Sequence, residues 1–257
     1  MSQIEKSAHA VATADGVTVS FDLYHQAGRT AVMVICHGFF QSKEAKMFQK
    51  LAPRLAEDRD VICMDFRGHG KSSGRFTFSS RENSDLTAVL DWVKARYPNI
   101  QVMGLSLGGA IAINTISQNP QGIDGLIAVS APAAFEDIEF KFWTPEAIRT
   151  GVQGFGPGVG CRIGNLFLPK KRPVDQISRL KGMPLLFIHG TRDVIVGIRH
   201  GHRLFAAANE PKQFEIIQGG SHAHALFHDD PEGFLRIVAA WQGNLRISVK
   251  TTTPALG

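Results

Sequence analysis

Short apolar runs rich in β-branched residues recur along this chain, and the gaps between most of them are long enough for one helix. Residues 31–36 (AVMVIC) and 60–64 (DVICM) are nearly unbroken apolar runs, as in strands buried on both faces of a sheet. Between them, residues 43–57 put Met47, Leu51 and Leu55 on one side at helical spacing, and Pro53 predicts a kink or split there. Residues 82–97 set Leu86, Val89, Leu90, Val93 and Tyr97 on one helical face before Pro98. Strand 100–104, helix 107–118, strands 125–130 and 184–189, helix 197–208, strand 213–217 and helix 231–242 continue the series. Residues 17–24 (VTVSFDLY) alternate like an edge or hairpin strand after an Asp15-Gly16 turn. Such alternation predicts an α/β chain, with a mostly parallel central sheet and helices on both faces.

The 257 residues fit a single domain of this kind, spanning 1–257. One stretch, about 131–182, is too long for a simple crossover. It carries Phe135, Phe140, Phe142 and Trp143 and then the glycine-dense GVQGFGPGVGCRIG. Long insertions in compact domains are usually lids or binding elements, and these aromatics need apolar surface to bury. A small cap insertion is expected, and the tail 243–257 is expected to be loose at its end.

Composition removes several function classes. At 44% apolar and 20% charged, the chain is packed rather than disordered. The net charge of +5 is scattered, and the one tight basic group, Lys170–Lys171–Arg172 in LPKKRP, reads as a solvated loop. With no basic stripe or reading motif, no nucleic-acid partner is expected. Cys36, Cys63 and Cys161 form neither a disulfide framework nor a zinc pattern, and the first two sit in strand runs as small hydrophobes. No run approaches the roughly 18 apolar residues of a membrane span, so no stable membrane insertion is expected. The start, MSQIEKSAHAVATADG, lacks a secretory apolar block, and a cytoplasmic protein is the default expectation.

The chemistry centres on Gly104-Leu105-Ser106-Leu107-Gly108, followed by Gly109, which joins strand IQVM to the helical run LGGAIAINTI. A GxSxG pattern alone is weak, since a Gly-rich helix start with a capping Ser gives the same letters. Between a strand and a helix, however, it holds the Ser in a strained turn with its oxygen exposed. A serine hydroxyl needs a general base, and the base needs an orienting carboxylate. Asp193 follows strand PLLFIH and His222 follows strand QFEII, in the order Ser, Asp, His that this sheet type uses. Asp193 alone fits a turn or helix N-cap equally well, and its company favours the acid role. SHAHALFHDD also offers His224, for a polar surrounding of the site, and His228, to start or cap the last helix with Asp229 and Asp230; His222 is favoured as base. His37-Gly38-Phe39-Phe40 follows the early strand AVMVIC, so the backbone N–H groups of Phe39 and Leu107 are the expected oxyanion donors, with the His37 side chain structural.

These residues carry a resemblance over almost the whole chain. HGF, Asp65-Phe66-Arg67-Gly68-His69-Gly70-Lys71-Ser72-Ser73-Gly74, GLSLGG, HGTRD and GGSH are similar to the α/β-hydrolase superfamily, most of all to the branch of monoglyceride lipases, lysophospholipases and cinnamoyl or feruloyl esterases. The resemblance implies Ser106 as nucleophile, Asp193 as acid, His222 as base and Phe39 and Leu107 as oxyanion donors, with the DxRGHGxSxG stretch structural. It implies two-step cleavage of a small-molecule carboxylic ester, with no cofactor and no metal. Phe40, Phe140 and Trp143 are expected to contact an apolar or aromatic acyl group. Amide or peptide hydrolysis, a lysophospholipase-type lipase and a non-catalytic binding protein on the same fold remain the alternatives. The departure from the family is the short, glycine-rich cap.

Overall fold

The computed structural model describes residues 3–138 and 160–252, so Phe140, Phe142 and Trp143 lie outside the described residues. Among the described residues, eight strands form one sheet in the order β1-β2-β4-β3-β5-β6-β7-β8. They are β1 (Glu5–Ala12), β2 (Thr18–His25), β3 (Ala31–Cys36), β4 (Asp60–Met64), β5 (Asn99–Leu105), β6 (Gly125–Val129), β7 (Leu185–Gly190) and β8 (Lys212–Ile217). β1 and β2 form an antiparallel hairpin, β2 joins β4 antiparallel, and every later pairing is parallel. Among the described residues the α-helices are α1 (Lys46–Leu55), α2 (Glu82–Lys94), α3 (Leu107–Ile116), the one-turn α4 (Pro173–Gln176), α5 (Ile198–Ala207), the short α6 (His224–Asp229) and α7 (Pro231–Thr252).

Strand periodicity divides the core into two halves. Val32, Val34, Cys36, Ile62 and Met64 face α2 and α3, where Leu86, Val89, Val93, Ile111 and Ile113 are buried. Met33, Ile35, Val61, Cys63, Met103 and Leu105 face the other side, against Phe48, Leu51 and Leu55 of α1 and Phe234, Val238 and Trp241 of α7. Cys36 and Cys63 are thus free, buried thiols on opposite faces, and burial pushes both up well above the ordinary thiol range. Among the described residues no helix is long and apolar enough to cross a membrane.

Three local expectations change. Pro53 does not split α1, which runs unbroken through it. Its missing N–H removes one bond near the helix end, while Leu51, Ala52 and Leu55 stay in the core. The last helix does not stop at 242 but continues to Thr252, since extending a formed helix fixes one residue per added bond. His228 does not cap it. Asp230 does, accepting the Gly233 N–H at 2.8 Å, while His228 sits largely exposed in α6. The first strand, β1, has no counterpart among the sequence expectations.

The DFRGHGKSSG stretch is structural. Asp65 accepts the backbone N–H groups of Lys43 at 2.7 Å and Lys71 at 2.9 Å, and Arg67 bonds both Asp15 and the fully buried Asp85. The chain returning toward β7 is stitched to this loop. His69 bridges Cys161, Phe76 bridges Ile163, and Arg162 N–H donates to the Gly68 carbonyl at 2.8 Å.

Candidate active site

The sheet's connections run one way from β3 to β4 and the other way from β5 onward, so a crevice opens at the carboxyl ends of β3 and β5. Ser106 stands there, between β5 and α3, with φ 52° and ψ −120°. A non-glycine residue in that region costs about 1–3 kcal/mol, which the surrounding contacts must offset. They do so by backbone packing that only glycine permits. A Cβ on Gly104 would come 2.5 Å from the Gly109 Cα. One on Gly108 would collide with the Cys36 carbonyl and lie 2.5 Å from that of His37. One on Gly38 would touch the Ser106 Cβ at 3.3 Å. The Ser106 N–H donates to the Val129 carbonyl at 2.8 Å, which ties the turn to β6.

Asp193 follows β7 and is buried. Its Oδ1 accepts the backbone N–H groups of Ile195 at 3.0 Å and Val196 at 2.9 Å, which is the turn role the sequence also allowed. Its Oδ2 accepts from His222 Nδ1 at 2.7 Å. The far nitrogen of His222, Nε2, lies 2.9 Å from Ser106 Oγ. Residues from three loops, 116 positions apart at the extremes, form one continuous relay. Burial alone would raise the Asp193 carboxyl, but His222, His189 and the Val196 N–H outweigh it and hold the group well below the ordinary carboxylate range.

The loops carrying Asp193 and His222 interlock. A Cβ on Gly190 would collide with the Gly220 carbonyl and lie 2.6 Å from that of Ser221. The Arg192 N–H donates to the Gly220 carbonyl at 2.9 Å. Beyond His222, the N–H of Ala223 (φ 37°) donates to Ser130 Oγ at 3.0 Å. Ser130 and His189 are therefore part of the arrangement, although sequence reading passed over both. The one available signal was their position at or next to the carboxyl ends of β6 and β7.

His224 opens α6, half buried, and its side chain makes no hydrogen bond among the described residues. Burial, then the charges of His222 and His228, lower its pKa to about 4. Its side chain stays outside the relay's hydrogen bonds, although the charges of His222 and Asp193 both reach it.

The loop after β3 passes beside Ser106. His37 Nε2 accepts the Phe66 N–H at 3.0 Å, so its Nδ1 carries the proton and donates to the Gly38 carbonyl at 2.7 Å. A trans peptide is planar, with C=O and N–H opposed, so this bond aims the Phe39 N–H away from His37. Neither the Phe39 nor the Leu107 N–H has a partner among the described residues. Burial, and then the neighbouring His69, keep the His37 imidazole neutral by lowering its pKa well below 6.5.

An aromatic wall leads off from this loop. Phe39 meets Phe40, Phe76 and Phe78 at ring distances of 4.6, 5.1 and 6.0 Å, and Phe78 meets Phe135 at 5.6 Å. Phe40 is 38% exposed with φ 63°. Among the described residues, no group of three His, Cys, Asp or Glu side chains is gathered as for a metal ion.

A family model described as the alpha/beta hydrolase fold matches residues 31–169. An uncharacterized protein of Mycobacterium tuberculosis is 27% identical over 283 residues, covering 89% of this chain and 78% of that protein. The sn-1-specific diacylglycerol lipase ABHD11 of Danio rerio is 29% identical over 134 residues, 51% of this chain and 41% of that protein. Among solved structures, esterase RhEst1 from Rhodococcus sp. superposes with a TM-score of 0.77 at 21% identity, over 93% of this chain and 99% of that one. The Pyrococcus furiosus esterase Pf2001 gives a TM-score of 0.76 at 23% identity, over 94% of this chain and 91% of that one. The family match over more than half of the chain, on a sheet with this strand order, shows that the chain belongs to the α/β-hydrolase family.

Proposed function

We propose that this chain is a serine hydrolase that cleaves carboxylic esters by two-step acyl transfer. The relay of Ser106 Oγ, His222 and Asp193, at 2.9 and 2.7 Å, is the observation that carries the reading. His222 Nε2 takes the Ser106 proton as Oγ attacks the ester carbonyl, while Asp193 holds the imidazole with its proton on Nδ1 and stabilises the imidazolium. The unpartnered N–H groups of Phe39 and Leu107 receive the developing oxyanion, Leu107 at the start of α3. His222 then protonates the leaving alkoxide. In the second step it activates water, which releases the acid and restores Ser106.

The substrate side of the proposal rests on the phenylalanines. An uncharged ester with an apolar or aromatic acyl group suits the face of Phe39, Phe40, Phe78 and Phe135, backed by the buried Phe76. Phe135, near the start of the insertion at about 131–182 that the sequence reads as a cap, belongs to this wall.

Initial rates on p-nitrophenyl esters of graded acyl length, beside Ser106→Ala, His222→Gln and His224→Gln, test the reading. Ser106→Ala and His222→Gln should lose about 10⁴-fold or more in kcat, and His224→Gln should stay within a few-fold of wild type. Wild-type enzyme that turns over no ester and takes no fluorophosphonate label would refute the hydrolase reading. Activity confined to short polar acyl groups would refute the aromatic acyl site alone.

A further inference from the structure

We infer that His189 is a positioning residue for the site: its buried imidazole closes the turn that carries Asp193 and thereby fixes the carboxylate on which His222 is hung. The inference rests on the triad proposed above. His189 lies in β7, four residues before Asp193, and is almost wholly buried. Its Nε2 is 2.7 Å from the Val196 carbonyl oxygen and 3.4 Å from Asp193 Oδ2. A carbonyl only accepts, so Nε2 carries the proton, and the same N–H faces the carboxylate oxygen that receives His222.

Val196 makes the arrangement a closed ring. Its N–H donates to Asp193 Oδ1 while its carbonyl accepts from His189, whose N–H faces Oδ2. Both carboxylate oxygens are thus flanked by donors, and the plane of the carboxylate cannot turn without breaking one of them. Val196 is 1% exposed, and no other N–H among the described residues donates to its carbonyl. Without His189 that carbonyl is buried and unpaired. The turn from Asp193 to Val196 then loses its link to the strand beneath it. Behind the ring, Gly201 of α5 leaves the room it occupies: a Cβ there would lie 2.8 Å from His189 Nδ1. The imidazole is wedged between helix and turn, where a residue that only filled space would not need a donor on its turn side.

The test is His189→Leu, His189→Gln and His189→Asn in the full chain. Gln carries its amide N–H near the position of Nε2, and Asn carries one near Nδ1. The readouts are kcat and KM on a p-nitrophenyl ester, thermal stability, and the low-field proton resonance of the His222 Nδ1–H on Asp193. Displacement of a catalytic group by an ångström costs about 10²-fold. His189→Leu should therefore lose about 10–10² in kcat with KM nearly unchanged, and its low-field resonance should shift or broaden. His189→Gln should recover most of the rate, and His189→Asn should not. Should the Leu variant fail to fold, the Gln and Asn pair decides alone. Equal kcat for Gln and Asn with the wild-type resonance would overturn the inference, whatever the stabilities. An inert wild type that takes no fluorophosphonate and shows no such resonance would overturn the triad and this inference together, whereas an active wild type matched by His189→Leu would overturn the inference alone.

Discussion

Asp193→Asn is the most informative single change, because the structure dictates how the new amide must sit. Oδ1 receives two backbone N–H groups, from Ile195 and Val196 at 3.0 and 2.9 Å. An NH₂ group placed there would face two donors, whereas on the other side it meets only the His189 N–H, 3.4 Å away and already given to the Val196 carbonyl, so the amide oxygen stays on the Oδ1 side and the NH₂ turns toward His222. It then donates to Nδ1, which must give up its proton, and the imidazole proton moves to Nε2, 2.9 Å from Ser106 Oγ. A nitrogen that already carries a proton cannot take one from serine. The expected loss is about 10⁴-fold in kcat, or about 5 kcal/mol of transition-state stabilisation. The turn bonds survive, so the variant should fold. Initial rates on a p-nitrophenyl ester, with folding followed by circular dichroism, measure the effect. Asp193→Ala gives the contrast: it leaves two N–H groups unpaired but forces no tautomer, so it should be less stable yet more active per folded molecule. A folded Asp193→Asn retaining more than a tenth of wild-type kcat would refute the tautomer argument.

Three further outcomes are expected. Gly108→Ala drives a Cβ to 2.5 Å from the His37 carbonyl, separating the N–H groups of Phe39 and Leu107; kcat should fall about 10²-fold or more while stability falls about 1–3 kcal/mol, read from rates and urea melts of the same preparation. Arg67→Met leaves the fully buried Asp85 without its guanidinium and should cost about 3–5 kcal/mol in urea unfolding, with activity per folded molecule little changed; a cost below about 1 kcal/mol would contradict the structural role. Burial first, then the charge of Arg162, against the Arg67 carbonyl bond, leaves His69 with a pKa of about 4. Unfolded chain therefore binds the extra proton between about pH 4 and 6.5, so this group's contribution is complete above about 6.5 and is lost as pH falls toward 4. Melting temperatures of His69→Leu should fall less steeply than wild type across that window, and parallel curves would contradict the assignment.

What sequence made legible follows from where each residue sits. β3 and β4 are buried on both faces, so their apolar runs stood out and their bounds, 31–36 and 60–64, match the observed strands. β1, EKSAHAVA, is an outer strand paired on one side, exposed or half-exposed throughout, and its polar letters carried no strand signal. β2 looked like an edge or hairpin strand, and it is the inner arm of a hairpin, covered by β1 and bonded to β4. The proposed triad was legible because each member follows a strand directly, where a short loop leaves few positions for a side chain to reach the crevice. His189 and Ser130 were not, because a buried polar residue at a strand end has the same letters whether it supports a site or fills a core. Phe40 packs on Phe39, and Phe76 and Phe78 extend that aromatic cluster from a loop whose motif pointed only to structure.

The glycine contacts between the loops after β7 and β8 bear on how such a centre can change over time. With Gly190 pressed on the Gly220 and Ser221 carbonyls, neither loop can accept a side chain or an extra residue there while the other stays as it is. Substitutions in the two should therefore be strongly non-additive in a double-mutant cycle. The carboxylate and the imidazole are in this sense inherited as one part.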